Sequence, residues 1–137
     1  MSLYGLADSV AKGLLRLYLS ATAIYNATPV LATETAIDVS SIVPPQAVAV
    51  LAIFSLTNGA TATTLEVYQN AGEAQANQKL VYAGVANQPM QDCFIVALDS
   101  ARKFYIKETA AVAATLIKWV GWFEKAPISQ PLNIAQF

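Results

Sequence analysis

The chain has 137 residues and a net charge of −1; 55% of its residues are hydrophobic, 12% are charged and none is histidine. This length corresponds to about one domain, the low net charge argues against the basic surface of a nucleic-acid-binding protein, and the lack of imidazole removes the commonest general base and metal ligand. Because about a quarter of the residues of a soluble domain are normally charged, we expect partner subunits to cover part of this surface.

The longest charge-free stretch, residues 39–65, does not predict a membrane span. Pro44 and Pro45 interrupt it, and its continuous apolar part of about a dozen residues is shorter than the roughly twenty that a spanning helix needs. The start of the chain lacks the basic and apolar regions of a signal peptide. Cys93 has no second cysteine to pair with, and its apolar neighbours Phe94 and Ile95 predict a buried thiol.

Residues 1–14 are ambiguous between an extended arm and a short helix, because four apolar residues recur there at helical spacing. These residues are Leu3, Leu6, Val10 and Leu14. From about residue 14 to residue 25, apolar and polar side chains alternate, which predicts a first strand. A short second strand is predicted at 35–39, running on towards Pro44 and Pro45, which mark the entrance of the next strand.

Residues 47–68 predict a long β-hairpin around Asn58-Gly59, a dipeptide that favours a tight primed turn. In that register Val50 would face Val67 on the core side. The opposite side would carry Ala49, Leu51 and Ile53 against Tyr68, Glu66 and Thr64. The first of these strands is thus apolar on both faces, and we expect something besides water to cover part of its outer face.

Further strands are predicted at 78–84, 92–98, 103–108 and 115–124, with a four-residue turn at 99–102. In the strand at 103–108, Phe104 and Ile106 are expected to point inwards. Short strands separated by turn signals, without helices between them, predict an all-β, antiparallel β-sandwich, with a jelly roll as the preferred version. We expect one domain over residues 1–137, with the sandwich at 15–125 between an N-terminal segment (1–14) and a C-terminal arm (126–137).

The last predicted strand carries both tryptophans, Trp119 and Trp122, on opposite faces. Both could reach one core only if a β-bulge lay between them. Trp122 is expected to pack beneath a loop or the C-terminal arm, or to act as an interface anchor, with sugar stacking as a third option. The arm itself carries no charge, and we expect it to be extended and docked, against the alternative of a frayed end.

No motif in the sequence names a reaction. Nucleophile elbows, phosphate loops, dinucleotide fingerprints and calcium loops are absent, and the carboxylates are scattered along the chain. The basic residues Arg102, Lys103 and Lys107 are expected to be offset by Asp99 and Glu108. We therefore predict a protein that is not an enzyme and uses no cofactor or metal.

Four stretches together resemble the small β-sandwich virion proteins of tailed phages, in particular head decoration or cement proteins. They are VPPQAVAVLAIFSLTNG, TTLEVYQNAG, FIVALDSARKFYIKET and IKWVGWFE, within about residues 35–125. The resemblance implies homotrimers or other ring-like clusters on a capsid lattice, without enzymatic activity. The long N-terminal segment departs from a plain short arm, which leaves open a fibre-base or tail position.

The resulting hypothesis is a virion structural protein, assembled in the host cytoplasm, that bridges neighbouring shell subunits and associates with itself. Its partners would be copies of the chain, as a trimer, and the major capsid or other virion subunits, without nucleic acid or membrane. The predicted interface residues are Leu51, Ile53, Tyr68, Trp122, Leu132, Ile134 and Phe137. The alternative is a tail, fibre-base or host-receptor module that binds carbohydrate.

Overall fold

The computed structural model of the chain describes residues 16–58, 62–73, 79–109 and 112–124. These residues form eight strands and no helix. The strands are β1 (Arg16–Ala27), β2 (Thr35–Asp38), β3 (Ala47–Asn58), β4 (Thr63–Tyr68), β5 (Lys79–Ala83), β6 (Pro89–Ala97), β7 (Lys103–Glu108) and β8 (Val112–Glu124). A search of the described residues for a helix long and apolar enough to cross a membrane finds none.

The strands form two four-stranded antiparallel sheets, one in the order β1-β8-β3-β6 and the other in the order β2-β7-β4-β5. We call them the 1-8-3-6 sheet and the 2-7-4-5 sheet. One apolar core is shared by side chains of both, including Val50 and Phe54 from the first and Leu65, Phe104 and Ile106 from the second. The predicted all-β class with antiparallel sheets is confirmed, and the two sheets are arranged as in a β-sandwich.

Buried and less buried side chains alternate along the strands, and the buried ones form this core. On β7 the burial pattern has a period of two, with Phe104 and Ile106 fully buried as predicted. On β3, Val50, Ala52, Phe54 and Leu56 are fully buried, whereas the residues between them are only partly buried. Each such strand therefore gives one side chain in two to the core and presents the next to the outside.

The predicted hairpin between β3 and β4 is wrong. β3 pairs with β6 and β8, and β4 pairs with β5 and β7, so the two strands lie in different sheets. Asn58 lies at the end of β3 opposite Val112 of β8. The chain crosses between the sheets after β3, which puts Ala49, Leu51 and Ile53 on the outside of one sheet and Tyr68 in the other.

Several strand boundaries also differ from the prediction. The strand expected at 92–98 begins at Pro89, and the one expected at 115–124 begins at Val112. Residues after β2 do not extend that strand, because the N–H groups of Ile42 and Val43 both donate to the carbonyl of Val39, which closes a turn. The predicted N-terminal segment (1–14) and C-terminal arm (126–137) lie outside the described residues.

A β-bulge in β8 brings both tryptophans to one side of the 1-8-3-6 sheet. Leu51 pairs with Gly121, but Ala52 pairs with Trp119, so Val120 is the extra residue. The indoles of Trp119 and Trp122 stack with ring centroids 5.8 Å apart and planes 5° from parallel. The predicted placement of Trp119 and Trp122 on opposite faces is therefore wrong, because the bulge that was the condition for a shared core is present.

Candidate protein interface

The outer face of the 1-8-3-6 sheet is built from rows of residues that the strand register places side by side. The upper rows are Ala97, Ala49 and Phe123, and Ile95, Leu51 and Gly121; the lower rows are Cys93, Ile53 and Lys118, and Gln91, Ser55 and Leu116. We call these residues the outer face. Its upper rows contain only apolar residues and glycine, and polar groups enter only in the lower rows.

The outer face is apolar and incompletely covered. Ile95 is 44% exposed, and its neighbours Leu51 and Ile53 are partly exposed. Gly121 beside Leu51 contributes no side chain and is itself buried. Lys118 is the only charged residue of the set. Contiguous exposed apolar surface of this kind is typical of contacts between protein subunits.

A second exposed apolar group lies in the connection between β1 and β2. Val30 is 68% exposed and Leu31 is 49% exposed. The loop is held by backbone hydrogen bonds from Thr33 to Val30 and from Ala32 to the carbonyl of Glu108. Ala32 lies in the left-handed region, with φ at 56°. The alternation that locates strands gave no signal for this loop, so its exposed side chains were missed from the sequence.

The structure locates four of the seven predicted interface residues. Leu51 and Ile53 lie on the outer face. Trp122 is half-buried on the opposite side, against the core, where its indole N–H donates to Glu124 at 2.9 Å. Tyr68 is only 1% exposed and lies on the other sheet, so it does not share a surface with Leu51. The remaining three, Leu132, Ile134 and Phe137, lie outside the described residues.

Tyr68 and Tyr105 form a clamp on the outside of the 2-7-4-5 sheet. Their rings stack 6.2 Å apart, and their hydroxyls donate to Glu34 at 2.8 Å and to Asp99 at 2.9 Å respectively. Burial and then the bond to Glu34 raise the pKa of Tyr68, and chiefly the bond to Asp99 raises the pKa of Tyr105. Both phenols therefore stay protonated near neutral pH and act as fixed donors that hold loops to the sheet.

Glu108 is a fully buried carboxyl between the two sheets, with none of its surface exposed. It does not offset the surface charges of Arg102 and Lys107 as expected, because alternation along β7 turns it inwards with Ile106. The hydroxyl of Thr115 on β8 donates to its Oε1 atom, and within the described part of the chain its Oε2 atom has no hydrogen-bond partner. Burial raises the pKa of Glu108 to about 7, although the Thr115 bond acts in the opposite direction.

Cys93 is exposed, and the predicted burial of its thiol is wrong. It lies on the outer face opposite Ile53, on a strand whose residues are mostly exposed. Its apolar neighbours misled the prediction because Phe94 points to the other side of the strand, towards Phe54.

Two open depressions lie at the sides of the molecule. One, of about 330 Å³, is lined mainly by apolar groups of β3, β4 and β6, and the other, of about 350 Å³, lies beside the turn at 99–102. In the second, the guanidinium of Arg102 already donates to the carbonyls of Ser40 and Val43. Among the described residues, no group of three or more metal-ligating side chains comes together.

No protein-family model and no curated protein matches this chain.

Proposed function

We propose that this chain is a non-enzymatic structural subunit of a virus particle, of the capsid decoration or cement type, which stabilises a protein shell by bridging neighbouring subunits. The observation that carries the proposal is the outer face, where Leu51, Ile53 and Ile95 remain partly exposed next to a single charged residue. Burying such a surface against another subunit is favourable by roughly 25 cal/mol for each Å² of apolar area removed from water.

The strand order supports the same proposal at the level of the fold. We assign the sandwich to the jelly-roll type, because the orders 1-8-3-6 and 2-7-4-5 follow when one long antiparallel ribbon is wrapped into two sheets. Jelly rolls serve in viral capsid and lectin domains, among others, so the fold alone does not choose a function.

Between capsid and sugar binding, the position of Trp122 favours the capsid. A sugar-binding platform needs an aromatic face open to solvent, whereas Trp122 packs against the core and stacks on Trp119. The tyrosines Tyr68 and Tyr105 stack on one another and are bonded to carboxylates of their own chain. A tail or fibre-base position in the particle would use the same outer face and remains the second candidate.

Self-association is the first consequence to test, with a homotrimer as the expected state. Ile53→Lys places a charge in the outer face beside Lys118, and like charges side by side oppose burial. Ala36→Lys is the matched control, since Ala36 is an exposed residue of β2 in the other sheet. Sedimentation equilibrium at micromolar concentration should show a trimer for the wild type and Ala36→Lys and a monomer for Ile53→Lys. A wild-type chain that stays monomeric would contradict the proposed self-association.

A further inference from the structure

The free edge of β6 is the most regular edge among the described strands. β6 runs in unbroken register with β3 from Pro89 to Ala97. By contrast, the register of β1, at the other edge of the same sheet, shifts twice. The outer strands of the second sheet, β2 and β5, have only four and five residues. Long regular edges are the ones on which another strand can pair.

The hydrogen bonds show which groups of β6 face this edge. Leu98 donates its N–H to the carbonyl of Val48 at 2.8 Å, so the residues of even number bond to β3. Residues of odd number then turn their N–H and carbonyl groups away from β3. They are Gln91, Cys93, Ile95 and Ala97.

Asp92 occupies the middle of this edge. Its Oδ1 atom accepts the N–H of Cys93 at 2.8 Å, which agrees with that N–H pointing away from β3. A carboxylate that satisfies an edge donor locally competes with any incoming strand for the same donor, and charged residues on edges are a recognised protection against unwanted pairing.

We propose that the β6 edge is a strand-addition site for a second copy of this chain, and that Asp92 controls access to it. A second copy fits because an edge can pair with itself about a twofold axis, which joins two four-stranded sheets into one. The inference goes beyond the proposed function, since it needs no shell and does not depend on the outer face binding one.

The length of β6 predicts the register in which two copies would pair. Full overlap of Pro89–Ala97 with its copy places Cys93 opposite Cys93 and Gln91 opposite Ile95 of the second copy. In this register Asp92 lies opposite Phe94 of the second copy. In the alternative register centred on Asp92, the Asp92 residues of the two copies would lie opposite one another. That register is unfavourable because it places two like charges side by side. Directly opposed, hydrogen-bonded residues have Cα atoms about 5.5 Å apart, a separation that a disulfide can bridge.

The test uses this cysteine as a probe of the edge. With diamide as the oxidant, which takes up the two electrons and two protons that two thiols release, the full-length chain should form a disulfide-linked dimer through Cys93. Asp92→Ala, which removes the competing acceptor from both copies, should strengthen dimerisation about tenfold. The dimer should form faster than in a chain whose thiol is moved to the exposed turn by Cys93→Ser with Ser100→Cys.

Gln91→Pro removes an outward N–H that β3 does not use, and edge positions accept proline. It should abolish the crosslink, while Gln91→Thr, which keeps the N–H, should retain it. Circular dichroism and thermal unfolding verify that both variants fold. The proposal would be overturned if Gln91→Pro and Gln91→Thr crosslinked equally, or if the Asp92→Ala chain sedimented as a monomer. Loss of the trimer in Ile53→Lys with the Cys93 crosslink intact would support the proposal, because it would show that the edge pairs independently of the outer face.

Discussion

At the scale of single residues, Glu108 is the least ordinary feature of the chain. It is a carboxyl without exposed surface, flanked by Thr115 of β8, Tyr25 of β1 and the apolar Leu65 of β4. Glu108 in turn raises the pKa of Tyr25, after the larger effect of burial. Without a cation among these neighbours, the neutral acid is the favoured form, and a protonated carboxyl can be buried at lower cost than an ionised one.

The stability of the fold should therefore depend on pH through Glu108. Its pKa is about 7 in the folded chain against 4.5 for the unfolded reference, so between these values only the folded state keeps the proton. The stabilisation that the protonated Glu108 gives the folded state is fully present below pH 4.5 and is lost as pH rises through 7. The loss amounts to at most about 3 kcal/mol of unfolding free energy. Urea unfolding of the wild type from pH 4 to pH 8 should show the loss.

Two variants control this measurement. Glu108→Gln should remove the decrease in unfolding free energy between pH 4.5 and pH 7. Thr115→Val removes a hydroxyl whose bond lowers the pKa of Glu108, so the decrease should move to higher pH. An identical pH profile for wild type and Glu108→Gln would show that the carboxyl is not held as the acid.

Arg102 stabilises the fold through its position as well as its charge. Its backbone lies in the left-handed region, with φ at 60°, and its guanidinium donates to the carbonyls of Ser40 at 2.9 Å and Val43 at 2.8 Å. These bonds tie the turn at 99–102 to the connection between β2 and β3. The composition of the turn predicted its position in the chain. The sequence could not predict which distant carbonyl groups the Arg102 side chain would bind.

Arg102→Ala should lower the free energy of unfolding by about 2 kcal/mol, because two carbonyls lose a charged donor. Lys103→Ala is the control at the next position, where the ammonium lies 3.8 Å from Asp38 at the surface and should matter little. Thermal and urea unfolding compare the two, and equal effects would contradict the role given to Arg102.

At the scale of strands, most of the correct predictions came from the alternation of apolar and polar residues. The periods of β1, β3, β7 and β8 placed these strands to within a few residues. Strict alternation along β8 put Trp119 and Trp122 on opposite faces, which is wrong because of the bulge at Val120. The β3–β4 hairpin failed for a physical reason. Asn-Gly favours a tight turn locally, yet strand pairing is decided by which faces the whole sheet buries, and those partners lie far away in sequence.

Deletion of Val120 should be tolerated, because Val120 is the extra residue of the bulge. Without it, the rest of β8 keeps its pairing with β3 as a regular strand, so Trp119 and Trp122 both stay on the core side. Deletion of Lys118, which pairs with Ile53, would instead bring Trp119 opposite Ile53 on the outer face. We expect the near-ultraviolet dichroism of the stacked indoles to be kept when Val120 is deleted and lost when Lys118 is deleted. Loss of the signal in the Val120 deletion would contradict the assignment of the bulge.

At the scale of the whole molecule, the outer face is where the low proportion of charged residues produces an exposed apolar surface. The sequence indicated that β3 is apolar on both sides, and the structure confirms that Leu51 and Ile53 face outwards and remain partly exposed. It could not indicate that Ile95 and Phe123 flank them, because neighbours across a sheet are set by strand order. For the same reason the sequence prediction placed Tyr68 opposite Ala49, on the same face as Leu51, although Tyr68 lies on the other sheet.

The most direct test of the proposed role in a shell is co-sedimentation of the purified chain with shells assembled from the major capsid protein that is proposed as its partner. The wild type and the control Ala36→Lys should pellet with the shells, and Ile53→Lys should stay in the supernatant, because its charge lies in the outer face. Equal pelleting of Ile53→Lys and the wild type, or no pelleting of any of the three, would contradict the account.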